Sequence, residues 1–322
     1  MTKTILLVAA GLVLHASAAW AQLGFGKPKD VAAVKSQPLI VLLQEEDPDK
    51  LKKLAKKPEE LADYKAYVVD YNARIQELAP KLWQFSPSVE FKPASELAAL
   101  RKAKGPQRGV LYHLDFVLAH RHPLNGPTAP NLPTHYYTSE KVSAMMVDVV
   151  GNGGQNTVWR VQIAPGPIYN SDIIFSLKTI QQYLEARAAN RKGADMRAEL
   201  AKNGKKLRGK TLLLDEADLK DKLTAAEVKK VYPLPFEIVP RATIEEAVAN
   251  GDARYACVRL VPVTESVTAQ VVMDAADASM LAMSVPGGGG VRMMPFGGAI
   301  GNNGSAIGKS NLKDFAEAAG KK

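Results

Sequence analysis

Val89-Glu90-Phe91-Lys92-Pro93 and Phe236-Glu237-Ile238-Val239-Pro240 are one strand pattern written twice, and working outward from the pair decides the fold. Each is preceded by a helix with a similar end, Lys81-Leu82-Trp83 in one place and Lys230-Val231-Tyr232 in the other. Ahead of those helices stand short apolar runs, 39–43 and 211–214, leading into Glu45-Glu46-Asp47 and Asp215-Glu216. In the first helix Leu61, Tyr64, Val68, Tyr71, Ile75, Leu78 and Leu82 recur at spacings of three and four, one stripe down a helix. Pro58 suits its first turn and Pro80 weakens its last. Beyond each shared proline, Ser95 or Thr243 is expected to cap a second helix with Glu96 or Glu245-Glu246 in its first turn. Gly105 and Gly251 are expected to end those helices.

Strands follow at 109–119 and 254–263, then Met145-Met146-Val147-Asp148 and Val271-Val272-Met273-Asp274. Each of these closes in a turn, at Gly151-Asn152-Gly153-Gly154 and near Asp277-Ala278-Ser279. The last helices start near Ser171 and Ser310, matching candidate caps. Regions 39–184 and 211–319 thus run through one series: strand, helix, strand, helix, two strands, helix. The expected fold is α/β, two tandem small mixed-sheet domains with helices mainly on one face, an internal duplication. The expected boundaries are a signal peptide at 1–21, a first domain at 37–186, a basic linker at 187–210 and a second domain at 211–322.

With a strand ending in Asp148 or Asp274 before a turn and a return strand such as 158–163, this order resembles the α/β domain at the amino terminus of the TolB translocation protein. It also resembles the related domain of the CsgG curli-secretion family. The resemblance implies a fold and a place in the bacterial envelope, and transfers no catalytic residue. No propeller repeat follows the two regions, and no pair of long alternating membrane hairpins is legible.

The amino terminus carries Lys3, an apolar run at 5–14 and Ala19-Trp20-Ala21, the pattern of an exported chain cleaved after Ala21. The apolar run is about half the roughly 20 residues that a membrane-spanning helix needs, and no later stretch reaches that length. The expected location is periplasmic or secreted. Cys257, the single cysteine, lies in an apolar run and is expected to be a buried core residue, so the fold holds without internal disulfides.

Two stretches stand out from the repeat. Between the later strands of the first copy, 120–137 inserts Pro123, Pro127, Pro130 and Pro133 among His120, His122, His135, Tyr136 and Tyr137, a composition that excludes a central strand. A partner-binding loop, an ordinary surface loop and a metal site are the open readings; the histidine spacing fits no recognised ligand pattern. His113 and Asp115 alternate onto one strand face and would be the acid-base pair of an exported hydrolase, although no nucleophile motif accompanies them. The other stretch is 187–210, where nine basic residues, among them Arg197, Lys202, Lys205, Lys206 and Arg208, face only Asp195 and Glu199, a balance of +7 within a chain of net charge +9. It reads as a solvated tether or as a contact for an anionic envelope polymer, lipid head groups or an acidic protein. Aromatic residues are not interleaved with these charges, so nucleic acid is not expected.

The glycine-rich stretch 287–308 ends in Gly304-Ser305-Ala306-Ile307-Gly308-Lys309-Ser310, which has three residues where a phosphate-binding loop requires four. It reads as a flexible connection or a docking loop through Met293, Met294 and Phe296, and no cofactor is expected. The function expected from the sequence is a non-catalytic binding or scaffold protein of the envelope, with an exported hydrolase or an oligomeric assembly component as alternatives.

Overall fold

The computed structural model of the chain describes residues 26–123, 135–164, 166–191, 193–264, 267–284 and 306–320. The expected signal peptide and most of the glycine-rich stretch lie outside the described residues. The first unit runs α1 (Pro28–Ser36), β1 (Leu39–Leu43), α2 (Pro48–Leu54), α3 (Pro58–Leu82), β2 (Val89–Pro93), α4 (Leu97–Lys102), β3 (Arg108–Pro123), β4 (His135–Gly151), β5 (Gly154–Ile163) and α5 (Asn170–Ala188). The second runs α6 (Gly193–Gly204), β6 (Thr211–Asp215), α7 (Ala225–Val231), β7 (Phe236–Val239), α8 (Arg241–Ala249), β8 (Tyr255–Thr264), β9 (Val267–Asp274), β10 (Met280–Ser284) and α9 (Lys309–Ala318).

Both units form a five-stranded sheet of one topology: β2-β1-β3-β4-β5 corresponds strand for strand to β7-β6-β8-β9-β10. In each, the first three strands are parallel and the last two antiparallel. The expected duplication is therefore present in strand order and direction.

The ladders also correct it. With Val89 matched to Phe236, Leu39 matches Leu212, because they pair with those residues. Ile40 pairs with Val110 and Leu213 with Cys257; Val110 then faces Asp148 across the sheet, while Cys257 faces Met273. Asp148 thus corresponds to Met273, and the sequence match of Asp148 to Asp274 is one residue out. In a strand, one residue is the difference between two faces. Accordingly the Asp148 carboxylate accepts a 2.6 Å bond from the Tyr112 hydroxyl, whereas Asp274 pairs with Lys210 at 2.8 Å.

The closing helices need a second correction, since Ser171 and Ser310 are not the caps. Each is the second helical residue. The third residue folds back instead: Asp172 accepts from the Tyr169 N–H at 2.7 Å and Asn311 from the Gly308 N–H at 2.8 Å. Gly251, as expected, closes α8. It sits at φ 59° with its N–H on Val248 while Asp252 bonds back to Ala247, a Schellman end.

The faces of the sheets explain how the units stack. On one side of the first sheet Ile40, Leu42, Val110, Tyr112, Ala144 and Met146 pack under Leu97 and Leu100 of α4. On the other side Leu39, Val41, Leu111 and Met145 meet α1, α3 and α5. The same buried cluster continues into the second unit through Ile244, Ala247 and Val248 of α8 and Leu213, Cys257 and Val271 of its sheet. Helix α5 therefore packs against α8, and the two units share one core. The far side of the second sheet carries its own core of Leu212, Leu214, Val258 and Val272 under Val228, Leu312 and Phe315.

The basic stretch is more than the tether that its charge implied. Helix α6 packs on β10, and Leu207 in the 3-10 turn after it is fully buried in the second core. At Gly204 a Cβ would come within 2.6 Å of the Ala318 carbonyl oxygen, so this close approach to α9 needs glycine.

Candidate functional site

The last rung joining β4 to β5 is Ser143 with Ile163, and β1 reaches only Val110 and Leu111 of β3. Past these, among the described residues, β3 and β4 pair only with each other for the eight rungs from Phe116 opposite Val142 to Pro123 opposite His135. At about 3.4 Å per residue this two-stranded arm is roughly 27 Å long. The insertion expected as a loop is therefore paired strand at both of its ends, with His120 opposite Thr138, Arg121 opposite Tyr137 and His122 opposite Tyr136. Pro123 is tolerated because it stands at the strand end, where no ladder bond is lost. The side chains of His120, His122, His135, Tyr136 and Tyr137 lie outside the described residues, as do 124–134 with the remaining prolines. In the second unit the matching hairpin has Thr264 opposite Val267 as its last rung, so the long arm is particular to the first.

A polar cluster sits at the base of the arm. His113 is 3% exposed; its Nδ1 lies 2.8 Å from Gln44 Nε2, its Nε2 2.7 Å from Ser143 Oγ, and Asp115 Oδ1 is 3.5 Å away. Gln44 is held in place by Asn72, which accepts its backbone N–H at 2.8 Å and donates to its carbonyl at 2.9 Å. By the register above, His113 and Asp115 correspond to Leu260 and Pro262, so the fold does not demand polar groups at these positions. The sequence signalled His113 and Asp115, but not Gln44, Asn72 or Ser143, which topology alone brings together.

The imidazole of His113 ties the chain just after β1 to β3 and β4. Gln44 and Ser143 engage both ring nitrogens. In a serine triad the carboxylate orients the ring nitrogen opposite the one that meets the serine, whereas here Asp115 and Ser143 both stand on the Nε2 side. Burial holds the imidazole's pKa below its ordinary value, with Asp115 opposing in part. A folded pKa below the unfolded one means that the unfolded chain binds more protons, so this contribution is complete above about pH 6.5 and is lost as pH falls below it. Urea midpoints from pH 7.5 to 5 should therefore fall, and His113→Leu, which installs the second unit's residue, should flatten that decline.

The basic residues divide by role. Arg208 donates to the Ala319 carbonyl at 2.6 Å and the Gly320 carbonyl at 3.0 Å, capping the end of α9. Lys210 bonds Asp274 and the Ala253 carbonyl, Arg187 the Gly26 carbonyl, and Arg191 pairs with Glu199. Lys202, Lys205 and Lys206 are exposed, and the side chain of Arg197 lies outside the described residues.

A buried charge cluster between the units went unseen in the sequence. Arg259, from β8, pairs with Asp172 at the start of α5 and donates to Ser171 Oγ at 2.6 Å. The Glu245 carboxylate accepts from the Ser171 N–H at 2.9 Å and its hydroxyl at 2.5 Å, at a helix start that favours negative charge. Arg259 is buried, and desolvation lowers its pKa to about 10. The available signal was an arginine inside the apolar run of β8.

Among the described residues no helix is long and apolar enough to cross a membrane, and no group of three or more His, Cys, Asp or Glu side chains is placed to hold a metal ion. No family model, no curated protein and no solved structure matches the chain.

Proposed function

We propose that the chain is an exported, non-catalytic binding or scaffold protein of the cell envelope that engages a protein partner through the arm of β3 and β4. The observation that carries this is the eight-rung ribbon, which no third strand joins among the described residues. Isolated two-stranded ribbons are marginal in water, and their unpaired edges accept further strands. Exposed Lys202, Lys205 and Lys206 supply a second contact, to anionic envelope polymer. The placing of Asp115 and Ser143 on the same side of the His113 ring weighs against the hydrolase.

The test replaces 116–142 by Asn-Gly, joining Asp115 to Ser143 through a tight turn. The armless protein should melt within a few degrees of the parent yet lose at least tenfold of the partner recovered from envelope extracts. Equal recovery would refute the arm as the contact.

A further inference from the structure

The duplication sets one surface of the first unit beside a covered counterpart in the second. In the second unit, the groove between α8 and β8 is filled by the start of α5: Tyr169 lies 5.7 Å from the Arg241 guanidinium, Ser171 bonds Glu245, and Arg259 reaches Ser171, Asp172 and, at 5.9 Å, the Phe175 ring. Counting from Pro93 and Pro240, Arg241 corresponds to Ala94, Ile244 to Leu97 and Glu245 to Ala98. The ladders match Arg259 to Tyr112 and Val261 to Leu114. A groove of about 230 Å³ occurs at this corresponding place, and its lining includes Ala94, Leu97, Arg101, Tyr112 and Leu114 together with Gln44 and His113 of the polar cluster. Leu114 is 41% exposed, one of the few large apolar side chains so open.

We infer that this groove is a second docking site, for the first turns of an amphipathic helix of a partner protein, seated as α5 is seated on the second unit. The substitutions define the occupant. Arg241, Glu245 and Arg259 are replaced by Ala94, Ala98 and Tyr112, and the Tyr112 hydroxyl is already committed to Asp148. The groove therefore takes a helix start that is apolar where α5 carries Ile174 and Phe175, and without a carboxylate at its third residue, which would find Tyr112 where the second unit offers Arg259. A second copy fits poorly. The matching turn of α9 carries Lys309, Lys313 and Asp314, and its lysines would meet Arg101.

The probe is a labelled synthetic peptide of residues 167–183 carrying Asp172→Asn, which keeps the helix cap as Asn311 does in α9. Anisotropy should show saturable binding to the full chain and to the armless variant alike, so this site stands or falls apart from the arm. Leu114→Asp should weaken it at least tenfold. Ala98→Glu, restoring the carboxylate that Ser171 meets in the second unit, should strengthen it about threefold. Both positions are exposed, and melting curves confirm folding. Absence of saturable binding, indifference to Leu114→Asp, or a dimer of the chain that Leu114→Asp dissolves would each overturn the inference.

Discussion

Replacing Arg259 by alanine is expected to destabilise the chain by about 3–5 kcal/mol, the usual cost of leaving one partner of a buried ion pair behind. Asp172 would keep its charge at the seam without the guanidinium that neutralises it. The pair is 8% and 4% exposed, so water replaces little of what is lost. Urea unfolding followed by tryptophan fluorescence reads the effect. Arg259→Met combined with Asp172→Asn should recover at least about 2 kcal/mol of it, because the asparagine keeps the bond to the Tyr169 N–H while removing the unpaired charge. Additive losses in that cycle would show that the pair does not couple the units.

Cys257 gives the second large effect. It lies 1% exposed in the shared core, and burial pushes its thiol up to about 12. The thiolate is the reactive form, so at pH 8 ionisation alone lowers its rate with iodoacetamide by about a thousandfold relative to a thiol of ordinary pKa near 8.5. Lack of access lowers it further. Native protein should thus resist alkylation for hours and react fully in urea. Arg259→Ala should speed native labelling by about a hundredfold or more, the same 3–5 kcal/mol seen as a rate. Equal labelling of parent and variant would place the opening that exposes Cys257 elsewhere than at the seam.

The repeat was legible in the sequence because its signals are local. A proline ending each second strand, helical spacing from Leu61 to Leu82 and glycine after α8 each act within a few residues. Register was not legible, since Asp148 and Asp274 both precede a turn and only cross-strand partners separate their faces. The arm was hidden by its prolines, which break strands in general but here lie at Pro123 and beyond it. Burial of Arg259 was hidden for a related reason: the carboxylate that permits it comes from Asp172, far away in the chain.

The shared core also sets an order of events as the chain is made. Helix α5 ends at Ala188, and helix α8, which packs against its outward face, ends at Ala249, 61 residues later. At 5–20 residues per second, Ile174 and Phe175 face solvent for roughly 3–12 seconds before α8 exists to cover them. A chaperone that holds apolar helices would find its target in that interval, and slowing elongation after Ala188 should increase aggregation more than slowing it before.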